Sequence, residues 1–225
     1  MTPFGVLTAT AAPLWRDNID TDLIVRVEPL FGGVPREELG PHALAALRFR
    51  ADGSEDPACV LNQPRYRGAG ILLAGDNFGC GSSREGAVWA LMALGIRCIV
   101  APSFGDIFQG NCFQNGLLPV RLPRAQVEGL ARAVAEGADA VLTVDLQACT
   151  VRRAGLPTLP FALPPRRREG LLRGLDDLAL TLARGAEIDA FQRRDRALHP
   201  WLHLDGARRP SLATDPAPDT HKETP

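Results

Sequence analysis

The residues best suited to chemistry lie together in residues 78–85, which read FGCGSSRE. Gly79 and Gly81 allow the backbone to curl, and two serines and Arg84 follow where a helical pattern begins. Backbone N–H groups at the start of a helix attract anions, and a guanidinium can hold a carboxylate through two parallel hydrogen bonds. The stretch therefore predicts a binding site for a carboxylate or a phosphate.

A glycine-rich stretch of this kind also occurs in dinucleotide-binding loops and in plain turns before helices. A dinucleotide-binding fingerprint requires a further glycine at the position that Arg84 occupies, and the apolar Val100 and Ala101 lie near the place where its acidic residue belongs. That fingerprint therefore fails. A plain glycine turn, capped by Ser82 or Ser83 before a helix, fits the composition as well as an anion site does.

Acidic and sulfur-bearing side chains do not form a metal site in this sequence. Asp20 and Asp22 resemble a carboxylate pair, but no third ligand is near them, so turn formation and loop bracing are favoured. The cysteines are odd in number, widely spaced and never arranged as C-x-x-C, which argues against disulfides and against a self-contained metal site. We therefore expect no metal on this chain and a reducing compartment. The five cysteines are Cys59, Cys80, Cys98, Cys112 and Cys149.

A β-α-β unit must position the glycine-rich stretch. Residues 70–74 form a short apolar run that predicts a strand, and helical spacing begins at Ser83 and ends at Gly95. Residues 96–101 are rich in β-branched side chains and predict a second buried strand. The stretch thus lies between a strand and a helix, which indicates an α/β fold.

The rest of the chain predicts further strands and helices, a folded domain over residues 1–204, and a disordered tail over residues 205–225. The tail has almost no apolar residues, too few to offset the entropy lost on ordering. The further elements are strands at residues 23–27, 117–122 and 140–146, a hairpin within 150–163, a helix from 123 to about 136, a helical region beyond 165 broken near Gly174, and a short helix around 188–191.

Composition and charge exclude several classes of protein. The chain has 225 residues, 45% of them hydrophobic and 23% charged, with a formal net charge of -1, as in an ordinary globular domain. Basic residues are scattered, so neither nucleic acid nor an anionic membrane is an expected partner. The sequence shows no signal peptide and no apolar run long enough to cross a bilayer, and we expect a cytoplasmic protein.

The string FGCGSSRE closely resembles the signature of the aconitase superfamily's swivelling domain, which is found in isopropylmalate dehydratase small subunits. The resemblance extends over roughly residues 1–195 and implies a three-layer swivelling β/β/α domain. It rests also on DTD at 20–22, VLN at 60–62, GILLA at 70–74, WAL at 89–91, APSF at 101–104, DIF at 106–108, GN at 110–111, LLPV at 117–120 and GLD at 174–176.

The resemblance implies a role for each residue of the stretch. Ser82 is the catalytic base, Arg84 binds a substrate carboxylate, and Ser83 donates a hydrogen bond to the substrate or to the helix start. These roles agree with the chemistry, because a serine acts as a base only as an alkoxide that N–H donors and positive charge stabilise. Gly79, Gly81, Asp20, Thr21 and Asp22 would support the loop.

The resemblance also implies a partner and a reaction. The small subunit would be active only with a large subunit that carries a [4Fe–4S] cluster, and Cys80 is not expected to bind iron. Together they would isomerise 2-isopropylmalate to 3-isopropylmalate through 2-isopropylmaleate, in leucine biosynthesis. Arg36 falls where related small subunits carry an arginine that meets the variable end of the substrate, although an isolated loop arginine more often faces solvent.

Two departures from the family pattern leave the substrate open. The family string usually continues with histidine where this chain has Gly86, and Val25-Arg26 replaces a common isoleucine-proline pair. Three interpretations remain: isomerisation of isopropylmalate, action on another alkylmalate or similar 2-hydroxy diacid, or a non-catalytic partner that stabilises a large subunit. Retention of Ser82 and Arg84 counts against the third.

Overall fold

The computed structural model describes residues 1–81 and 84–203, and the strands in these residues form one seven-stranded sheet. In chain order the strands are β1 (Val6–Leu14), β2 (Ile71–Ala74), β3 (Cys98–Ala101), β4 (Leu118–Arg121), β5 (Val141–Asp145), β6 (Thr150–Arg152) and β7 (Leu159–Pro160). Their order across the sheet is β4-β3-β2-β1-β5-β6-β7. Pairs from β4 to β1 are parallel and pairs from β1 to β7 are antiparallel, so the sheet has two halves that meet at β1.

The central strand β1 changes partner along its length. Its first five residues pair with β5, from Val6 opposite Asp145 onward, and its last four pair with β2, from Ala11 opposite Ile71. Every residue of β2 and β3 is buried, which is typical of parallel strands covered on both faces. The core therefore lies around the parallel half of the sheet.

Helices connect the strands, and some of them pack on the sheet. In chain order they are α1 (Thr21–Ile24), α2 (Val27–Phe31), α3 (Ala45–Arg48), α4 (Gly86–Ala93), α5 (Asp106–Asn115), α6 (Arg124–Glu136), α7 (Pro165–Arg173), α8 (Asp177–Leu182) and α9 (Gly185–Leu198). α6 packs on β1, β2 and β3 through an apolar face that includes Val127, Leu130 and Val134. α4 joins β2 to β3, which confirms the predicted β-α-β unit.

Most of the predicted elements are confirmed. The strands β2 to β5, the hairpin of β6 and β7, and helix α6 lie where the sequence placed them, and α7 ends at Gly174 with φ +68°. The prediction of an α/β fold is therefore correct. α9 is longer than the short helix predicted around residues 188–191.

The predicted strand at residues 23–27 is wrong. The structure has α1 ending at Ile24 and α2 beginning at Val27. The Asp20 carboxylate accepts a hydrogen bond from the Leu23 backbone N–H at 2.7 Å, and this cap starts a helical turn that overrides the β-propensity of the apolar run. The sequence pattern did not predict β1 or α5.

The chain divides into two units, Met1–Leu180 and Thr181–Pro225. In the second unit, the Asp195 carboxylate lies 2.9 Å from His199 Nδ1 and 2.7 Å from His203 Nε2. No helix within the described residues is both long and apolar enough to span a membrane. Ser82, Ser83 and the tail at residues 205–225 lie outside the described residues, so the predicted domain extent of 1–204 stays a prediction.

Candidate functional site

The glycine-rich loop after β2 rests on buried aromatic rings. Phe78 is fully buried, and its ring meets those of Phe104 and Phe108 edge-on, with centroids 6.5 and 5.5 Å apart. The Phe78 backbone N–H donates to Ser103 O at 3.1 Å, and the Gly105 N–H donates to Phe78 O at 2.9 Å. The loop is therefore fixed to the segment that follows β3.

Gly79 occupies a position that no side chain can share. Its φ is +73°, and an added Cβ would lie 2.2 Å from the ring of Phe108. Its N–H donates to Ile19 O at 2.7 Å, and the Thr21 N–H donates to Cys80 O at 3.0 Å. These bonds join the loop to the segment that enters α1.

The three residues Asp20, Thr21 and Asp22 act in different ways on this loop. Asp20 caps α1, Thr21 is buried, and the Asp22 carboxylate forms an ion pair with the Arg84 guanidinium. An added Cβ at Gly81, where φ is +92°, would contact Asp20 and Thr21. The structure thus brings together the residues that the sequence proposed as loop supports and the arginine that it proposed as the carboxylate ligand.

Arg84 lies at the edge of an open depression of about 630 Å³. The Arg84 side chain is 31% exposed and lines this depression beside its ion pair with Asp22. Phe31, which is 85% exposed, adds an apolar wall. A small molecule with a carboxylate and an apolar group fits this combination. The described residues that line the depression are Asp22, Arg26, Val27, Glu28, Phe31 and Arg84.

Arg36 lies over the indole ring of Trp89, with its guanidinium carbon 3.6 Å from the ring centroid. Trp89 Nε1–H donates to Asn115 Oδ1 at 3.0 Å, and the Asn115 amide donates to Glu85 Oε1 at 2.6 Å. Arg36 is therefore connected through two side chains to the residue after Arg84. It packs against Trp89 of α4 and is not among the residues that line the depression.

A cluster around Arg124 that the sequence did not predict supports the other end of the loop. The Arg124 guanidinium donates to Asp17 at 3.1 Å, to Glu128 at 3.2 Å and also to Asp76. The Asp76 N–H donates to the Asp17 carboxylate at 2.8 Å. The hydrogen bond from Arg124, and after it the one from the Asp76 N–H, lower the pKa of Asp17. No motif signals this cluster, because its members come from three distant segments.

The Cys80 thiol is less acidic than that of a free cysteine. Burial, with the nearby Asp20 carboxylate as a second cause, raises the pKa of Cys80. All five cysteines are free. Within residues 1–81 and 84–203, no three His, Cys, Asp or Glu side chains are grouped so that they could hold a metal ion. The predicted roles of Ser82 and Ser83 concern positions outside the described residues.

Known proteins match this chain over most of its length. The sequence profile of the aconitase C-terminal domain matches residues 1–125, and the profile of the C-terminal domain of 3-isopropylmalate dehydratase small subunits matches residues 177–205. The 3-isopropylmalate dehydratase small subunit from Rhodospirillum centenum is 51% identical over 201 residues, covering 89% of this chain and 98% of that protein. The small subunit from Cereibacter sphaeroides is 48% identical over 202 residues, covering 90% of this chain and 100% of that protein.

A solved structure shares the fold. The crystal structure of 3-isopropylmalate dehydratase from Methanocaldococcus jannaschii superposes with a TM-score of 0.58 and covers 82% of this chain and 98% of that chain. The two sequences are 24% identical, so this similarity is evidence for the fold only. The expected swivelling-domain fold is thereby confirmed.

Proposed function

This chain belongs to the family of 3-isopropylmalate dehydratase small subunits, and we propose that the loop between β2 and α4 is the part of it that acts on the substrate. The chain is one subunit of a hydro-lyase of leucine biosynthesis that converts 2-isopropylmalate to 3-isopropylmalate, and it works with a large subunit. The observation that carries the assignment of the site is the position of Arg84 beside Asp22 at the opening of the depression.

Arg84 binds one carboxylate of the diacid. Its guanidinium has several N–H donors, and the contact to Asp22 orients it toward the depression. The apolar wall at Val27 and Phe31 lies on the same depression and suits the alkyl group of an alkylmalate. A 2-hydroxy diacid with a branched alkyl group therefore matches the chemistry of this surface.

Ser82 removes the proton from the carbon next to a carboxylate. It stands in the sequence between Gly81 and Arg84, where backbone N–H groups and a positive charge can stabilise an alkoxide. As the proton moves to Ser82 Oγ, the bond from the neighbouring carbon to the hydroxyl breaks and the alkene forms. Water then adds in the opposite orientation, without net oxidation. Ser83 donates a hydrogen bond to the bound diacid.

The hydroxyl group leaves with help from the partner. The described residues of this chain do not fit a [4Fe–4S] cluster, because no three potential ligands are grouped. We place the cluster on the large subunit, where it would supply a Lewis acid for the substrate hydroxyl. The cytoplasm is the compartment we propose, since five free cysteines are compatible with a reducing environment.

Reconstitution tests this proposal. The chain is mixed with its large subunit, the cluster is restored anaerobically, and the absorbance of the alkene intermediate is followed. We expect Ser82→Ala to abolish turnover, because the base is lost. The matched control is Ser54→Ala, since Ser54 is exposed and bonds to Asp52 at the surface. Undiminished activity of Ser82→Ala would remove the assignment of the base.

A second candidate function is action on a different alkylmalate. Gly86 and Arg26 depart from the family pattern, and Arg26 lines the depression. A panel of isopropylmalate, citramalate and bulkier malates separates the two candidates by their kcat/KM values. Inactivity on the whole panel would instead favour a non-catalytic, stabilising partner.

A further inference from the structure

Leu30 fills the space above Gly86. Gly86 is the first residue of α4 and is buried. A Cβ added there would lie 2.6 Å from Leu30 Cδ1, 2.7 Å from Leu30 Cδ2 and 3.2 Å from Leu30 Cγ. Any side chain at position 86 must therefore displace Leu30.

The contact joins the two sides of the depression. Leu30 belongs to α2, which also carries Val27 and Phe31 of the apolar wall. Gly86 follows Arg84, the carboxylate ligand, by two positions. Leu30 and Gly86 thus form a contact between the helix that carries the apolar wall and the helix that follows Arg84.

We propose that Leu30 and Gly86 are a positioning pair, which holds α2 against α4 and so sets the size of the alkyl group that fits beside Arg84. The inference rests on the proposed function, because it takes Arg84 as the carboxylate ligand. It adds the residues that decide which alkylmalate is preferred. Neither residue of the pair touches the substrate.

We expect Gly86→Ala to change substrate binding and not the folding of α4. Alanine forms a helix more readily than glycine, and the φ of Gly86 is not positive, so the backbone accepts Gly86→Ala. The atoms that a new Cβ would meet belong to the end of the Leu30 side chain. The Leu30 side chain must therefore shift, and in our proposal the five-residue helix α2 moves outward with it while α4 stays in place.

The two single variants should have opposite effects. Gly86→Ala moves α2 away from Arg84, so it should raise the KM for 2-isopropylmalate about tenfold, the size of a one-methylene mismatch, and should favour bulkier malates. Leu30→Ala lets α2 approach α4 and should favour the smaller citramalate. The double variant should restore the KM for 2-isopropylmalate to within about threefold of the unchanged enzyme.

The experiment uses the full chain reconstituted with its large subunit and reports KM and kcat on the three malates. Gly129→Ala is the matched control, because Gly129 lies inside α6 and an added Cβ there meets nothing within 4 Å. It should leave the order of preference unchanged. Thermal unfolding of each variant shows that the fold is retained.

The outcomes distinguish failure of the proposed role of Leu30 and Gly86 from failure of the proposed function. If the unchanged enzyme and Gly129→Ala turn over 2-isopropylmalate while Gly86→Ala keeps the same preference, the pair has no positioning role and the proposed function stands. Failure of Leu30→Ala to rescue Gly86→Ala would likewise overturn the pair. Inactivity of the unchanged enzyme on every malate would overturn the proposed function, and the role of the pair with it.

Discussion

The Asp22 carboxylate and the Arg84 guanidinium form an ion pair at the opening of the depression, although 62 positions separate them along the chain. Asp22 is held in place because Asp20 caps the same short helix, α1. Arg84 follows a loop that is bonded to the entry of that helix through Thr21 and Cys80. The capped helix thus positions the side chain that we propose as the carboxylate ligand.

Removal of Asp22 should weaken substrate binding. In Asp22→Ala the guanidinium of Arg84 loses a partner that orients it, so we expect the KM for 2-isopropylmalate to rise about fivefold with a smaller change in kcat. Glu28→Ala is the control, because Glu28 lines the same depression. It removes a carboxylate that repels the diacid and should not raise KM. Equal increases in both variants would show that general charge, not orientation, is responsible.

Arg36 should affect the choice between substrates. If it meets the variable end of the diacid from its position on Trp89, Arg36→Ala should alter the ratio of kcat/KM between 2-isopropylmalate and citramalate roughly tenfold, more than it lowers kcat. Arg50→Ala, which removes an exposed arginine 3.7 Å from Asp56, should leave the ratio unchanged. Equal losses on every substrate would contradict the assignment of Arg36.

Arg153 should be important for stability. Its side chain is 7% exposed, and its guanidinium donates to the carbonyls of Ala133, Asp139 and Val141. Arg153→Met removes this buried donor and its ion pair with the Asp139 carboxylate, and we expect the free energy of unfolding to fall by about 2 kcal/mol in urea titrations.

The control for Arg153 is its neighbour in the sequence. The Arg152 side chain is 52% exposed, and its guanidinium lies 4.0 Å from Asp145. Arg152→Met should change the free energy of unfolding by less than about 0.5 kcal/mol. A similar loss in both variants would show that the contacts of Arg153 with the carbonyls contribute little.

The Arg124 cluster should give the stability a defined pH dependence. The pKa of Asp17 is lowered in the folded chain, so its contribution is complete above the unfolded value of about 3.9 and is lost as the pH falls through the folded value. The thermal unfolding temperatures of the unchanged chain and of Arg124→Met should therefore differ at neutral pH and become equal in acid. A difference that persists in strong acid would contradict this origin.

The sequence predicted most of the sheet because the buried strands β2 and β3 are short apolar runs bounded by glycine or proline. β1 was missed because its two halves have different partners, so one half alternates in burial and the other is mostly buried. α5 was missed because Gly110 and polar residues weaken its periodic pattern.

The sequence predicted only those parts of the site that lie close together along the chain. The loop at residues 78–85 and the arginine within it follow from residue types and spacing. The pairing of Asp22 with Arg84, the stacking of Arg36 on Trp89 and the contact of Leu30 with Gly86 depend on how distant segments pack. Packing of this kind has no signature in a single sequence, because each partner alone resembles an ordinary surface or helix residue.

The position of β1 at the centre of the sheet has a consequence for protein synthesis. The ribosome makes this strand first, but its amino-terminal half finds its partner only when Val141–Asp145 has emerged. Until then the nascent chain carries an unpaired strand edge, and such edges associate with other chains. Early release of the chain before β5 should therefore yield an aggregating fragment rather than a smaller folded protein.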